Sequence, residues 1–166
     1  MNFSKKLYKI QTITFGIMMS LFYLLAIVSI VGGIVSLVNT NNSEGAEGIG
    51  NAFLFVFALI GVIVGVALGL VMTIKLIATN KLFKAIKNSS EEFVNKKSAK
   101  IVNLVFSILI IIAAIVVVLL DVELLFKIVA IILSCVILLF EILDGVALKK
   151  VRIELNYEAN FIEEKK

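Results

Sequence analysis

Four long apolar stretches alternate with short charged segments along this chain. They cover residues 13–38, 52–77, 101–120 and 124–148. Each stretch has at least the roughly 20 residues that an α-helix needs to cross the hydrocarbon core of a bilayer. The pattern therefore predicts an all-α fold, an integral membrane four-helix transmembrane bundle, with residues 1–166 forming a single membrane domain.

The third and fourth stretches are separated only by Asp121-Val122-Glu123. One continuous helix over residues 101–148 would be about 72 Å long, more than twice a hydrocarbon core of roughly 30 Å. We therefore expect the chain to reverse direction at this acidic tripeptide, although it contains neither Gly nor Pro.

The segments between the other stretches differ in composition. Residues 39–51 are rich in Gly, Asn and Ser and predict a flexible loop. Residues 80–100 hold six Lys against two Glu. Within them, Ser89 precedes Glu92 at the spacing of a capping box, which predicts a helix that begins near Ser90 and continues into the third span.

The distribution of charge predicts the orientation of the chain. Lysines cluster before the first stretch, in the loop 80–100 and after the fourth stretch, whereas the other two connections carry only acids. Basic segments next to membrane helices stay in the cytoplasm, so both termini are predicted to be cytoplasmic. The tail, residues 149–166, has apolar residues at roughly helical spacing and predicts a short amphipathic surface helix: Val151, Leu155, Ala159 and Ile162.

Composition removes several classes of function. The chain is 61% hydrophobic, has a mean hydropathy of +1.11 and contains no histidine. Catalysis by Ser/His or Cys/His pairs and the commonest metal ligand are thereby excluded, and we expect no enzyme, no cofactor and no metal site. The net charge of +4 lies in clusters that flank apolar segments, which favours membrane lipids over nucleic acid as a partner. The bias towards Lys, Ile and Asn suggests a bacterial plasma membrane.

A stripe of small residues lies on one face of the second predicted helix. Gly61, Gly65, Gly69 and Thr73 follow one another at four-residue spacing. Such a stripe allows two helix backbones to approach closely in lipid. Two interpretations are open: packing within the chain, or contact with another membrane protein or a second copy.

A second candidate site consists of polar residues within the predicted spans. Glu141 and Asp144 are three residues apart and have no cation one turn away on their own helix. Lys75 lies at a similar predicted depth and is expected to pair with one of them, and Asn103 and Ser107 can join by hydrogen bonds. The cluster can hold the helices in register, bind a cation or proton, or lie solvated at the membrane interface.

These features lead to two hypotheses of function. The chain contains no proline, shows no internal repeat and has no charge at the middle of a span, which argues against a transporter. The first hypothesis is a small polytopic membrane protein that acts as a non-catalytic subunit, accessory or immunity-type partner through helix packing. The alternative is a small homo-oligomeric channel, or an ion- or proton-conducting protein, that uses Glu141 and Asp144.

Overall fold

The computed structural model describes residues 2–42, 45–119 and 124–163, and this part of the chain is helical without strands. The helices, in order, are α1 (Asn2–Asn42), α2 (Ala46–Asn88), α3 (Ser90–Asn95), α4 (Lys97–Leu119) and α5 (Leu124–Glu163). Four of them, all except α3, are long and apolar enough to cross a membrane. The predicted all-α class with four apolar helices is confirmed.

The helices around the first loop are longer than predicted. The sequence predicts a loop over residues 39–51, but α1 continues to Asn42 and α2 begins at Ala46. Gly45 lies between them with a φ of 68°, a left-handed conformation that glycine adopts without steric cost. Its carbonyl accepts a 3.3 Å hydrogen bond from the Ile49 amide, so helical bonding begins immediately after the turn.

The predicted helix start at Ser90 is confirmed, but its continuation into the third span is wrong. The Ser89 hydroxyl accepts a 3.0 Å hydrogen bond from the Glu92 amide and caps α3. At Lys96 the backbone leaves helical geometry, with ψ at 52°, and its amide bonds back to the Phe93 carbonyl. Because Phe93 is fully buried, its packing fixes α3 as a separate short helix before α4 begins.

The tail is helical up to Glu163, as predicted, but it is not a short helix of its own, since α5 continues into it without a break. Val151 is fully buried and Leu155 packs against the same apolar cluster, so this part of α5 is held by the core. The side chains of Ala159 and Ile162 lie outside the described residues. The turn predicted at Asp121-Val122-Glu123 also lies outside the described residues.

The chain divides into two compact units. The hairpin unit is Thr14–Thr73 and contains the later part of α1 and the earlier part of α2. The larger unit comprises Met1–Ile13 and Ile74–Lys166, and it contains α3, α4 and α5. One apolar cluster of its core, among the residues that the structure describes, contains Tyr8, Leu82, Ala85, Ile86, Phe93, Ala99 and Val151.

Candidate functional site

In the hairpin unit, the glycine stripe of α2 lies against α1. A Cβ atom added to Gly65 would lie 2.9 Å from the backbone nitrogen of Ala26, and one added to Gly69 would lie 2.7 Å from the Tyr23 ring. A Cβ atom on Gly61 would collide with the Ser29 hydroxyl. Contacts this short require hydrogen in place of a side chain, so the stripe is where the two helices of the hairpin approach most closely.

Thr73 extends this contact by hydrogen bonds. Its hydroxyl lies 3.1 Å from the Tyr23 hydroxyl and donates a 2.8 Å bond to the Gly69 carbonyl. The glycine face is therefore occupied by α1 of the same chain and is not a free surface for a partner in this conformation.

In the larger unit, Lys75 is completely buried and brings α2, α4 and α5 together. Its Nζ lies 3.2 Å from Glu141 Oε1, an ion pair, and donates to Asn103 Oδ1 at 2.9 Å and to the Asn103 carbonyl at 3.2 Å. Ser107 accepts from the same ammonium and donates to Glu141. The structure thus places four of the predicted polar residues in one hydrogen-bonded cluster.

Asp144, the fifth predicted residue, has a different environment. Its Oδ1 accepts a 2.7 Å hydrogen bond from Gln11 Nε2, and its Oδ2 accepts a 3.0 Å bond from Asn103 Nδ2. The Tyr8 hydroxyl also hydrogen-bonds to this carboxylate. Among the residues that the structure describes, no ion pair joins Asp144 to a cation. The sequence left open which acid pairs with Lys75, and in the structure it is Glu141.

Sequence reasoning missed three members of the cluster: Tyr8, Gln11 and Thr79. Tyr8 and Gln11 precede the first apolar stretch, yet both are buried. Their three-residue spacing, which puts them on one helix face, was the available signal. Thr79 lies one turn after Lys75 and donates a 3.3 Å bond to Asn103 Oδ1.

An open cavity of about 250 Å³ adjoins the cluster. Glu141, Asp144, Asn103, Tyr8 and Lys100 supply its polar lining, and four further residues complete it: Leu82, Leu104, Gly145 and Leu148. The arrangement gives solvent-sized molecules and small ions access to both carboxylates.

In the part of the chain that the structure describes, no group of three His, Cys, Asp or Glu residues could hold a metal ion. Comparisons with protein-family models, with curated proteins and with solved structures found no match.

Proposed function

We propose that this chain is an integral protein of a bacterial plasma membrane that crosses the bilayer four times with both termini in the cytoplasm. The four apolar helices support insertion. Lysines cluster near the start of α1, over residues 80–100 and late in α5. These clusters support the orientation, because basic segments remain on the cytoplasmic side.

We further propose that it acts as a non-catalytic membrane subunit, accessory or immunity-type partner that binds another membrane protein. The observation that carries this proposal is the outer surface of the hairpin unit. Its glycine face is used for internal packing, whereas large apolar side chains point outwards: Phe57 is 66% exposed and Ile63 is 69% exposed. In lipid, such side chains contact acyl chains or the helices of a partner.

The test compares two pairs of exposed residues in protein extracted gently from its own membrane. Phe57→Ala with Ile63→Ala trims the hairpin unit, and the matched control, Leu139→Ala with Ile142→Ala, trims exposed side chains on α5. Native mass spectrometry should find a foreign subunit at fixed stoichiometry with wild type and with the control, and lose it with the hairpin variant. Protein that carries only lipid in all three samples would contradict the proposal.

A second candidate function is a small homo-oligomeric channel or proton-conducting protein. The favouring observation is the cavity that reaches Glu141 and Asp144. Purified protein in planar bilayers would then carry a cation current, and Glu141→Gln or Asp144→Asn would change its conductance while leaving the oligomer intact. Silent bilayers containing correctly folded protein would exclude this candidate.

A further inference from the structure

A groove of about 260 Å³ lies between α2 and α4 in the larger unit. The residues that line it are Ile74, Ile77, Ala78 and Lys81 from α2 and Ser98, Ala99 and Val102 from α4. Ala78 and Ala99 are buried and form its floor, and their methyl side chains leave space that larger residues would fill. Ile74 and Ile77 are exposed and form part of its apolar wall.

The groove is polar at one end and apolar at the other. Lys81 lies near the end of α2 and Ser98 near the start of α4, so both lie next to the segment that joins these helices. Ile74 precedes Lys81 by seven residues, which places it about 10 Å deeper along α2. Val102 lies one turn deeper than Ser98 along α4. A phospholipid has the same division, with a phosphate at the membrane interface and acyl chains in the hydrocarbon core.

The polar end of the groove offers unused hydrogen-bond donors. In the part of the chain that the structure describes, neither the Lys81 ammonium nor the Ser98 hydroxyl has a hydrogen-bond or ion-pair partner. The described residues that line the groove include no acid. Residues 80–100 hold six Lys against two Glu, and one of these acids, Glu92, pairs with Lys96. The local charge therefore favours a phosphate, since hydrogen bonds between an ammonium and an anionic oxygen are strong.

The dimensions of the groove fit a hydrocarbon chain better than a helix of a partner protein. Spread over the distance between Ile74 and Lys81, its volume corresponds to a mean cross-section of about 26 Å², whereas a helix with a diameter of 10–12 Å needs at least about 80 Å². A free phosphate would contact only the polar end and leave the apolar walls uncovered. A single acyl chain attached to a phosphate contacts both parts.

We propose that this groove binds one anionic phospholipid of the cytoplasmic leaflet, with its phosphate at Lys81 and Ser98 and one acyl chain between α2 and α4. The cytoplasmic leaflet carries the negative surface potential of the membrane, and a lysine near it contributes about 1 kcal/mol to the binding of anionic lipid. In a zwitterionic lipid the choline group offsets the phosphate, so the gain from Lys81 is smaller. The inference rests on the proposed membrane insertion and orientation, but it does not depend on the partner or channel function.

The experiment is native mass spectrometry of the full chain, delipidated in uncharged detergent and titrated with phosphatidylglycerol or with phosphatidylcholine of the same acyl chains. Wild type should bind its first phosphatidylglycerol about fivefold more tightly than its first phosphatidylcholine, which corresponds to about 1 kcal/mol. Lys81→Gln should remove this preference. The matched control is Lys84→Gln, which changes an exposed lysine of α2 outside the groove lining and should retain the preference.

Two further measurements separate the groove from a general attraction between lysines and anions. Ala78→Leu places bulk on the floor of the groove and should weaken the first binding step of both lipids. Glycerol 3-phosphate, which has the phosphate but no acyl chain, should not displace phosphatidylglycerol at equal concentration. Displacement by glycerol 3-phosphate would overturn the proposal in favour of a site for free phosphate.

Equal affinity of wild type for the two lipids would overturn the proposal, as would an equal loss of preference in Lys81→Gln and Lys84→Gln. Far-UV circular dichroism establishes that each variant is folded. If Ala78→Leu does not fold, the two lysine variants decide. Incorporation of wild type into phosphatidylcholine nanodiscs reports membrane insertion separately. Protein that inserts but does not prefer phosphatidylglycerol would overturn the lipid site and leave the proposed membrane insertion intact.

Discussion

Replacing Lys75 with methionine tests the polar cluster most severely. Methionine retains the unbranched shape of the lysine stem but removes the ammonium, which is completely buried and bonded to Asn103, Ser107 and Glu141. Loss of one partner from a buried ion pair costs roughly 3–5 kcal/mol, because the remaining charge is left without compensation. Glu141 retains 18% side-chain exposure and its bond from Ser107, so we expect the lower end, about 3 kcal/mol.

The paired variant separates this charge effect from a loss of packing. In Lys75→Met with Glu141→Gln both charges are absent, and replacing both members of a buried pair is often nearly neutral. We expect its free energy of unfolding to lie within about 1 kcal/mol of wild type. The exposed pair Lys96–Glu92, with nitrogen and oxygen 3.5 Å apart, provides the control, and Lys96→Met should cost less than about 1 kcal/mol.

The assay is reversible unfolding in mixed micelles, followed by far-UV circular dichroism, for the four proteins of the double-mutant cycle. A positive coupling between Lys75 and Glu141 of about 2 kcal/mol or more is expected. If Lys75→Met were as stable as wild type, or if the two substitutions were simply additive, the cluster would not be stabilised by this ion pair.

Two further predictions concern local structure. Gly65→Ala should destabilise the protein by roughly 1–3 kcal/mol in the same unfolding assay, because the added Cβ atom would lie 2.9 Å from the backbone nitrogen of Ala26. The control is Gly32→Ala, whose added Cβ atom would meet no other atom within 4 Å. It should be neutral or slightly stabilising. Ser89→Ala should remove the cap of α3 at a cost of about 1 kcal/mol, measured as faster hydrogen exchange of the α3 amides. Ser98→Ala changes an exposed serine and should leave this exchange unchanged. If Gly65→Ala and Gly32→Ala changed stability equally, the close packing at Gly65 would be contradicted. If Ser89→Ala and Ser98→Ala changed exchange equally, the capping role of Ser89 would be contradicted.

Hydropathy located the apolar part of each long helix but not its ends. A hydropathy pattern marks where a helix contacts lipid, whereas hydrogen bonding and packing decide where it stops. In the tail, α5 continues beyond the predicted boundary at Leu148, and Val151 in this continuation is buried in the core. Between α3 and α4, the break at Lys96 follows from the burial of Phe93, which depends on side chains distant in the sequence, such as Tyr8, whose ring centre lies 5.5 Å away.

The candidate polar site could be predicted in part. Counting residues inwards from the basic flanks placed Lys75 and Glu141 at similar depth, because a helix rises a constant 1.5 Å per residue, and the structure brings their charged atoms to 3.2 Å. Gln11 could not be found in this way, since it lies in a segment whose composition is typical of a membrane boundary. Its role depends on Asp144, which is 133 positions away in the sequence.

We propose that these helices cross a membrane and that the loop after α1 and the segment containing α3 lie on opposite sides of it. The most direct measurement uses single cysteines at Glu47 and Glu91 in a Cys135→Ala background, labelled with a membrane-impermeant maleimide. In intact cells we expect Glu47→Cys to be labelled and Glu91→Cys to react only after lysis. Labelling of both positions in intact cells, or of Glu91→Cys alone, would contradict it.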